Sequence, residues 1–289
     1  MRIMPISWLA AIGGFFGARE GQRAIAKREP WVDKVHTSLQ RYAGVADEKD
    51  REQRIVACTR RIGRVYAEFA ALQRIANSDR LEVVGMEHLS DVSWPVIFAG
   101  CHLSNWELIV QVLTRLPNRS CALYDPPENP IRHRLAVRAR EAWMPDFKLV
   151  ASSQRAMLDP VRALKAGRNL LLYVDEEKNG AVWAPSLGRD LPYAGNRWFA
   201  ARLAVRHGVS IVPLYVEERA ASRYRIVIEP PLDPEPGDPE VCARELADAL
   251  DSKLDKVIGE RIEQWYWLPW LDPDKPLSAS QYTAQAASA

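Results

Sequence analysis

The residues with the most pointed chemistry lie in one short stretch, Gly100-Cys101-His102-Leu103-Ser104-Asn105-Trp106-Glu107. Five steps along a regular α-helix rotate a side chain by about 140°, so His102 and Glu107 would not share a helix face. The pair works together only if His102 ends a strand and Glu107 falls in the first turn of the helix that follows. In that arrangement the imidazole takes a proton from a substrate hydroxyl. Glu107 accepts a hydrogen bond from the other ring nitrogen and fixes the tautomer. The hydroxyl itself is then the nucleophile towards an acyl carbonyl, and free amides at the helix N-terminus help hold the developing negative charge. A plainer reading competes. Ser104 and Glu107 also spell a capping box, and His102 is then a satisfied core histidine.

The elements around this stretch supply the context it needs. Pro95–Ala99 is strand-like and leads into a helix from about Asn105 to Arg115. Leu81–Val84, Cys121–Tyr124, Phe147–Ala151, Asn169–Val174, Val209–Val216 and Tyr224–Ile228 also read as strands. Helices are expected over Pro130–Trp143, Ser153–Lys165, Asn196–His207 and Asp238 to about Ile262, with one long helix from about Lys49 to Ala76. Alternating strands and helices predict an α/β fold, a mostly parallel central sheet covered by helices, in which ligands sit at the C-terminal strand ends. About twenty residues follow the buried strand that ends at Val174, long enough to be a functional loop.

Composition removes several classes. The 289 residues carry 39 Lys+Arg against 37 Asp+Glu, so there is no overall basic footprint for nucleic acid. Four scattered cysteines, Cys58, Cys101, Cys121 and Cys242, fit neither a disulfide scaffold nor a zinc site, and no metal is expected. No apolar run reaches the roughly 20 residues that span a bilayer. Ile3 to Gly17 is apolar, broken by Pro5 and glycines, and followed by Arg19, Arg23, Lys27 and Arg28. With Trp8, Phe15 and Phe16 it reads either as an interfacial contact with an anionic leaflet or as a buried helix. The expected organisation is a membrane-associating segment over 1–20, one domain over 21–275 and a flexible tail over 276–289.

His-Leu-Ser-Asn-Trp-Glu resembles the His-x-x-Asn-Trp-Glu block of the bacterial lipid A biosynthesis acyltransferases, the late lauroyl/myristoyl transferases of the glycerolipid acyltransferase superfamily. Further blocks follow in order. They are Asn129-Pro130 with its Arg-rich helix, Leu164-Lys165-Ala166-Gly167 before Asp175-Glu176, Ala184 to Arg189, Ile211 to Leu214, and Glu263-Gln264-Trp265-Tyr266-Trp267. The similarity spans roughly residues 5 to 270.

The resemblance implies a glycerolipid-acyltransferase-like fold at the cytoplasmic face of the inner membrane. It implies transfer of a fatty acyl chain from acyl carrier protein or acyl-CoA to a hydroxyl of a lipid A-type glycolipid, with no resident cofactor. His102 and Glu107 are the expected catalytic pair. Asn105, Arg132, Arg140, Asp175, Gly188 and Arg189 are expected to bind substrate. Arg132 and Arg140 would face phosphates, the carrier protein or lipid headgroups, unless that helix is a solvated face. Arg189 would grip phosphate, with Gly188 allowing close backbone approach. Asp175 would orient an arginine or merely begin a turn. Three departures bear on substrate: Asp125 replaces a basic residue, Glu176 stands where the family has Gln, and Ser186-Leu187 replaces a double Phe. Another membrane glycolipid as acceptor, or a non-catalytic membrane-surface protein on the same scaffold, are the alternatives.

Overall fold

The computed structural model describes residues 4–116, 119–124, 148–151 and 158–283. Three helices lead the chain: α1 (Ile6–Lys27), α2 (Pro30–Ala43) and α3 (Glu48–Glu68). A 3₁₀ turn, Phe69–Ala71, separates α3 from α4 (Leu72–Ala76). The α/β body follows with β1 (Leu81–Val84), β2 (Ile97–Gly100), α5 (Leu108–Leu113), β3 (Ser120–Tyr124), β4 (Lys148–Ala151), α6 (Leu158–Lys165) and β5 (Asn169–Tyr173). Then come a small hairpin of β6 (Glu177–Lys178) and β7 (Ala181–Val182), α7 (Gly195–His207), β8 (Ile211–Ala220), β9 (Arg223–Ile228) and α8 (Pro239–Gly259). A short α9 (Ala279–Thr283) closes the described chain.

Seven strands form one sheet in the order β1-β9-β8-β2-β5-β3-β4. The pairs are parallel except β8 with β9, which is an antiparallel hairpin. The mostly parallel α/β sheet expected from the alternation is therefore present. Strand β2 is buried along its whole length, and both faces of the sheet carry a core, as parallel strands require. Ile97, Ala99, Leu170 and Leu172 join one core with α3, α7 and α8, while Phe98, Leu171 and Val212 join the other with α4 and α5.

The single helix expected over Lys49–Ala76 is broken by the 3₁₀ turn. The break has a packing reason. Ile55 and Cys58 of α3 belong to one core and Leu72 and Ile75 of α4 to the other, so the chain changes face at Phe69–Ala71. The predicted segment at Asn105 shrinks to the six residues of α5.

Helix α1 runs through residue 20, where the sequence placed a boundary, and packs along α3. Gly13 and Gly17, spaced by four, lie against Gly63 and the backbone of Thr59, where any Cβ would collide with main-chain atoms. The glycines that looked like helix interruptions are the contact surface. The opposite face leaves Trp8, Ile12, Phe15 and Phe16 exposed. No helix among the described residues is long and apolar enough to cross a membrane.

Candidate active site

Strands β2 and β5 are parallel neighbours, with Gly100 opposite Tyr173. Two residues beyond each lie His102 and Asp175, so the register brings an imidazole and a carboxylate to the same sheet end. His102 Nδ1 stands 2.9 Å from Asp175 Oδ1. The other oxygen, Oδ2, accepts from the His102 backbone N–H at 2.7 Å and from the indole N–H of Trp265 at 2.8 Å. Asp175 is fully buried. Its backbone and indole neighbours can only donate, so Nδ1 carries its proton towards the carboxylate and Nε2 presents a lone pair. Trp267 Nε1 lies 3.0 Å from the Asp175 carbonyl and 3.2 Å from His102 Nδ1. Because Nδ1 is already a donor, the indole hydrogen belongs to the carbonyl.

The C-terminal Trp-rich segment holds the motif by its backbone. Leu103 and Trp265 form an antiparallel bridge. Tyr266 donates its N–H to the His102 carbonyl at 2.9 Å, and Ser104 donates to the Gln264 carbonyl at 2.9 Å. The Ser104 hydroxyl also donates to Gln264 Oε1 at 2.7 Å. Ser104 has φ +50°, a left-handed turn between strand and helix. The capping box is thereby overturned, since both polar groups of Ser104 go to Gln264 and the Glu107 side chain caps no helix amide. Aromatic rings surround the imidazole. Tyr173 is 4.5 Å away between centroids, Trp106 5.2 Å and Trp267 5.3 Å. Tyr266 packs on Trp106 and shares a 2.9 Å hydroxyl contact with Tyr66.

Several expectations change on this geometry. Asp175, read as a residue that orients an arginine or begins a turn, is instead the partner of His102 Nδ1, the place given to Glu107. Glu107 stands half-exposed at the head of α5. The first helix amides are not free for a developing oxyanion, because Leu108 and Ile109 donate to the Asn105 and Trp106 carbonyls at 3.1 Å. Asn105 is fully buried and gives its amide to Glu68 Oε2 at 3.0 Å, so it braces the motif from behind. Glu68 is itself fully buried and also accepts from the hydroxyls of Ser222 and Tyr224.

Arg189, expected to grip phosphate, ties down its own loop. Its three nitrogens donate to the carbonyls of Ser186, Val182 and Pro185 at 3.0, 3.1 and 2.7 Å. Burial lowers its pKa, because desolvation outweighs the attraction of nearby acids such as Asp251 and Asp255. Gly188, at φ +76°, faces open space, so it serves the turn rather than a close approach. Arg132 and Arg140 lie outside the described residues.

Next to Asp175, Glu176 accepts from the Asn196 backbone N–H and from the Tyr282 hydroxyl at 3.1 and 3.2 Å. Burial pushes its carboxyl up to about 7. Buried Cys58 and Cys101 both have raised thiol pKa values through desolvation, Cys58 to about 12, so neither is a nucleophile.

The sequence did carry a signal for Asp175. His102 and Asp175 each stand just past the end of a buried apolar strand, and adjacent parallel strands place such residues side by side. Gln264, Trp265 and Trp267 were legible only as a distant block, and Glu68 gave no sign.

The family described as bacterial lipid A biosynthesis acyltransferase matches residues 1–270. The chain belongs to that family. No curated protein matches it. The protein is accordingly an acyltransferase of the lipid A biosynthesis type, and the matched span contains His102, Glu107, Asp175 and the Trp265–Trp267 block together. Acyl donor and lipid acceptor are its substrates by class.

Proposed function

We propose that the enzyme moves a fatty acyl chain from a thioester of acyl carrier protein or coenzyme A to a hydroxyl of a lipid A-type glycolipid, with His102 as general base. The observation that carries this is the His102–Asp175 pair. One ring nitrogen is committed to a buried carboxylate at 2.9 Å and the other remains for substrate.

The acceptor hydroxyl gives its proton to His102 Nε2 as its oxygen attacks the thioester carbonyl. The tetrahedral intermediate collapses, the carbon–sulfur bond breaks, and the imidazolium returns the proton to the departing thiolate. No acyl-enzyme forms. Asp175 and the Trp265 indole hold the tautomer that accepts at Nε2. Glu107 is the second carboxylate of the motif, half-exposed at the head of α5.

The same reading places the enzyme on the cytoplasmic face of the inner membrane. Its support is the outer face of α1, where Trp8, Phe15 and Phe16 are 65%, 58% and 66% exposed beside Arg19 and Arg23.

The test is acyl transfer by purified His102→Ala and Glu107→Ala, each checked for folding by circular dichroism. Both should lose activity while keeping the fold. Wild-type turnover by either variant would remove that residue from the mechanism.

A further inference from the structure

Beneath the aromatic face of α1 lies a groove of about 520 Å³, walled by α1, α3 and the turn between β8 and β9. Ala11, Gly14 and Phe15 make its apolar side. Four guanidinium groups line the rest: Arg19 from α1, Arg60 and Arg64 from α3, and Arg80 before β1. No Asp or Glu is among the described residues that line it.

The four cations are poorly matched by acids. Arg60 has no hydrogen bond or ion pair among the described residues. Arg64 gives Nη2 to Glu218, but its buried Nε has no partner there. Arg80 makes one long contact, 3.5 Å, to the Ser222 carbonyl. Arg19 reaches only the Phe15 ring, 5.9 Å to the centroid. Elsewhere on α3, Arg54 and Arg61 are paired with Glu263 and Glu218. A groove that gathers four arginines, one with a buried unsatisfied N–H, is complementary to an anion. The apolar wall beside it is complementary to a hydrocarbon chain.

We propose that this groove binds one anionic phospholipid, its phosphate between Arg60, Arg64 and Arg80 and the start of an acyl chain along Ala11 and Phe15. The inference rests on the membrane reading of α1 and adds to it a discrete site with a stated headgroup chemistry. The site is separate from His102 but joined to it through buried groups. Ser222 lines the groove and donates to Glu68, which accepts from Asn105 of the catalytic motif.

The test uses the full chain with vesicles of pure phosphatidylcholine and vesicles containing phosphatidylglycerol. Three proteins are compared: wild type, Arg60→Gln/Arg80→Gln, and Lys27→Gln/Arg28→Gln. The last removes the same charge from the C-terminal end of the α1 region, outside the groove. Losing two charge-assisted contacts to a bound phosphate should cost the groove variant roughly tenfold or more in affinity for phosphatidylglycerol vesicles, with little change for phosphatidylcholine. The control should lose clearly less. Native mass spectrometry from detergent should show one phosphatidylglycerol retained by wild type and absent from the groove variant.

Equal losses in both variants would reduce the effect to general surface charge and overturn the site. Equal protection against heat by millimolar inorganic phosphate, with no lipid retained, would make free phosphate the ligand and also overturn it. Wild type binding both vesicle types equally would refute the groove and leave the membrane reading standing. Binding to neither would refute both.

Discussion

Asp175 does its work by accepting. Every hydrogen bond recorded for its carboxylate comes from an N–H, one of them the imidazole that must keep its proton at Nδ1. Asp175→Asn offers an amide that can turn its own N–H towards Nδ1 and favour the unproductive tautomer. The expected result is a fall in kcat of roughly 10²–10⁴-fold with KM little changed, read by steady-state transfer assays. Glu176, one residue on, titrates in the folded protein at about 7 against 4.5 for an unhindered carboxyl. The folded state thus holds this proton more tightly than the unfolded chain, and stability falls as pH rises from about 4.5 through 7. A protonated Glu176 is close in shape to glutamine. Glu176→Gln should remove that slope. Denaturant melts at pH 5 and pH 8 should differ by up to about 3 kcal/mol more in wild type than in the variant.

At the level of elements, the α1–α3 seam is the most exacting contact. Gly17→Val would push a branched side chain into the backbone of Thr59, and should cost about 1–3 kcal/mol in thermal or urea unfolding. An equally large loss from a substitution at exposed Ile12 would contradict the seam. The elements themselves were largely readable. Strand β5 announced itself as Leu170-Leu171-Leu172, and α7 by the glycine after His207, which sits in the left-handed region as its C-cap. The sheet order was not readable, because pairing is decided by packing between distant segments rather than by local periodicity. The 3₁₀ break after Glu68 was hidden for a related reason. Apolar spacing continues across it, and only the assignment of Ile55 and Leu72 to opposite cores reveals the change of face. His102 could be found from its motif, but its partner needed the β2–β5 register.

Taken whole, the molecule closes its site with its C-terminal end. Trp265 is fully buried against Asp175, and the segment around it pairs with the backbone on both sides of Leu103. Trp265→Ala should destabilise the fold by about 3–5 kcal/mol and depress activity together, seen as parallel loss in denaturation and transfer assays. Unchanged stability would mean that the indole is not the anchor. Trp267 reaches a histidine that lies 165 residues earlier in the chain. At translation rates of about 5–20 residues per second, roughly 8 to 33 seconds separate the synthesis of the two. Early in that interval the nascent chain has the His102 stretch and β2 but neither β5 nor Asp175, and until its end the imidazole lacks the Trp265–Trp267 segment. A partly made chain therefore lacks the assembled arrangement of His102, Asp175 and Trp265 until the Trp265–Trp267 segment has been added.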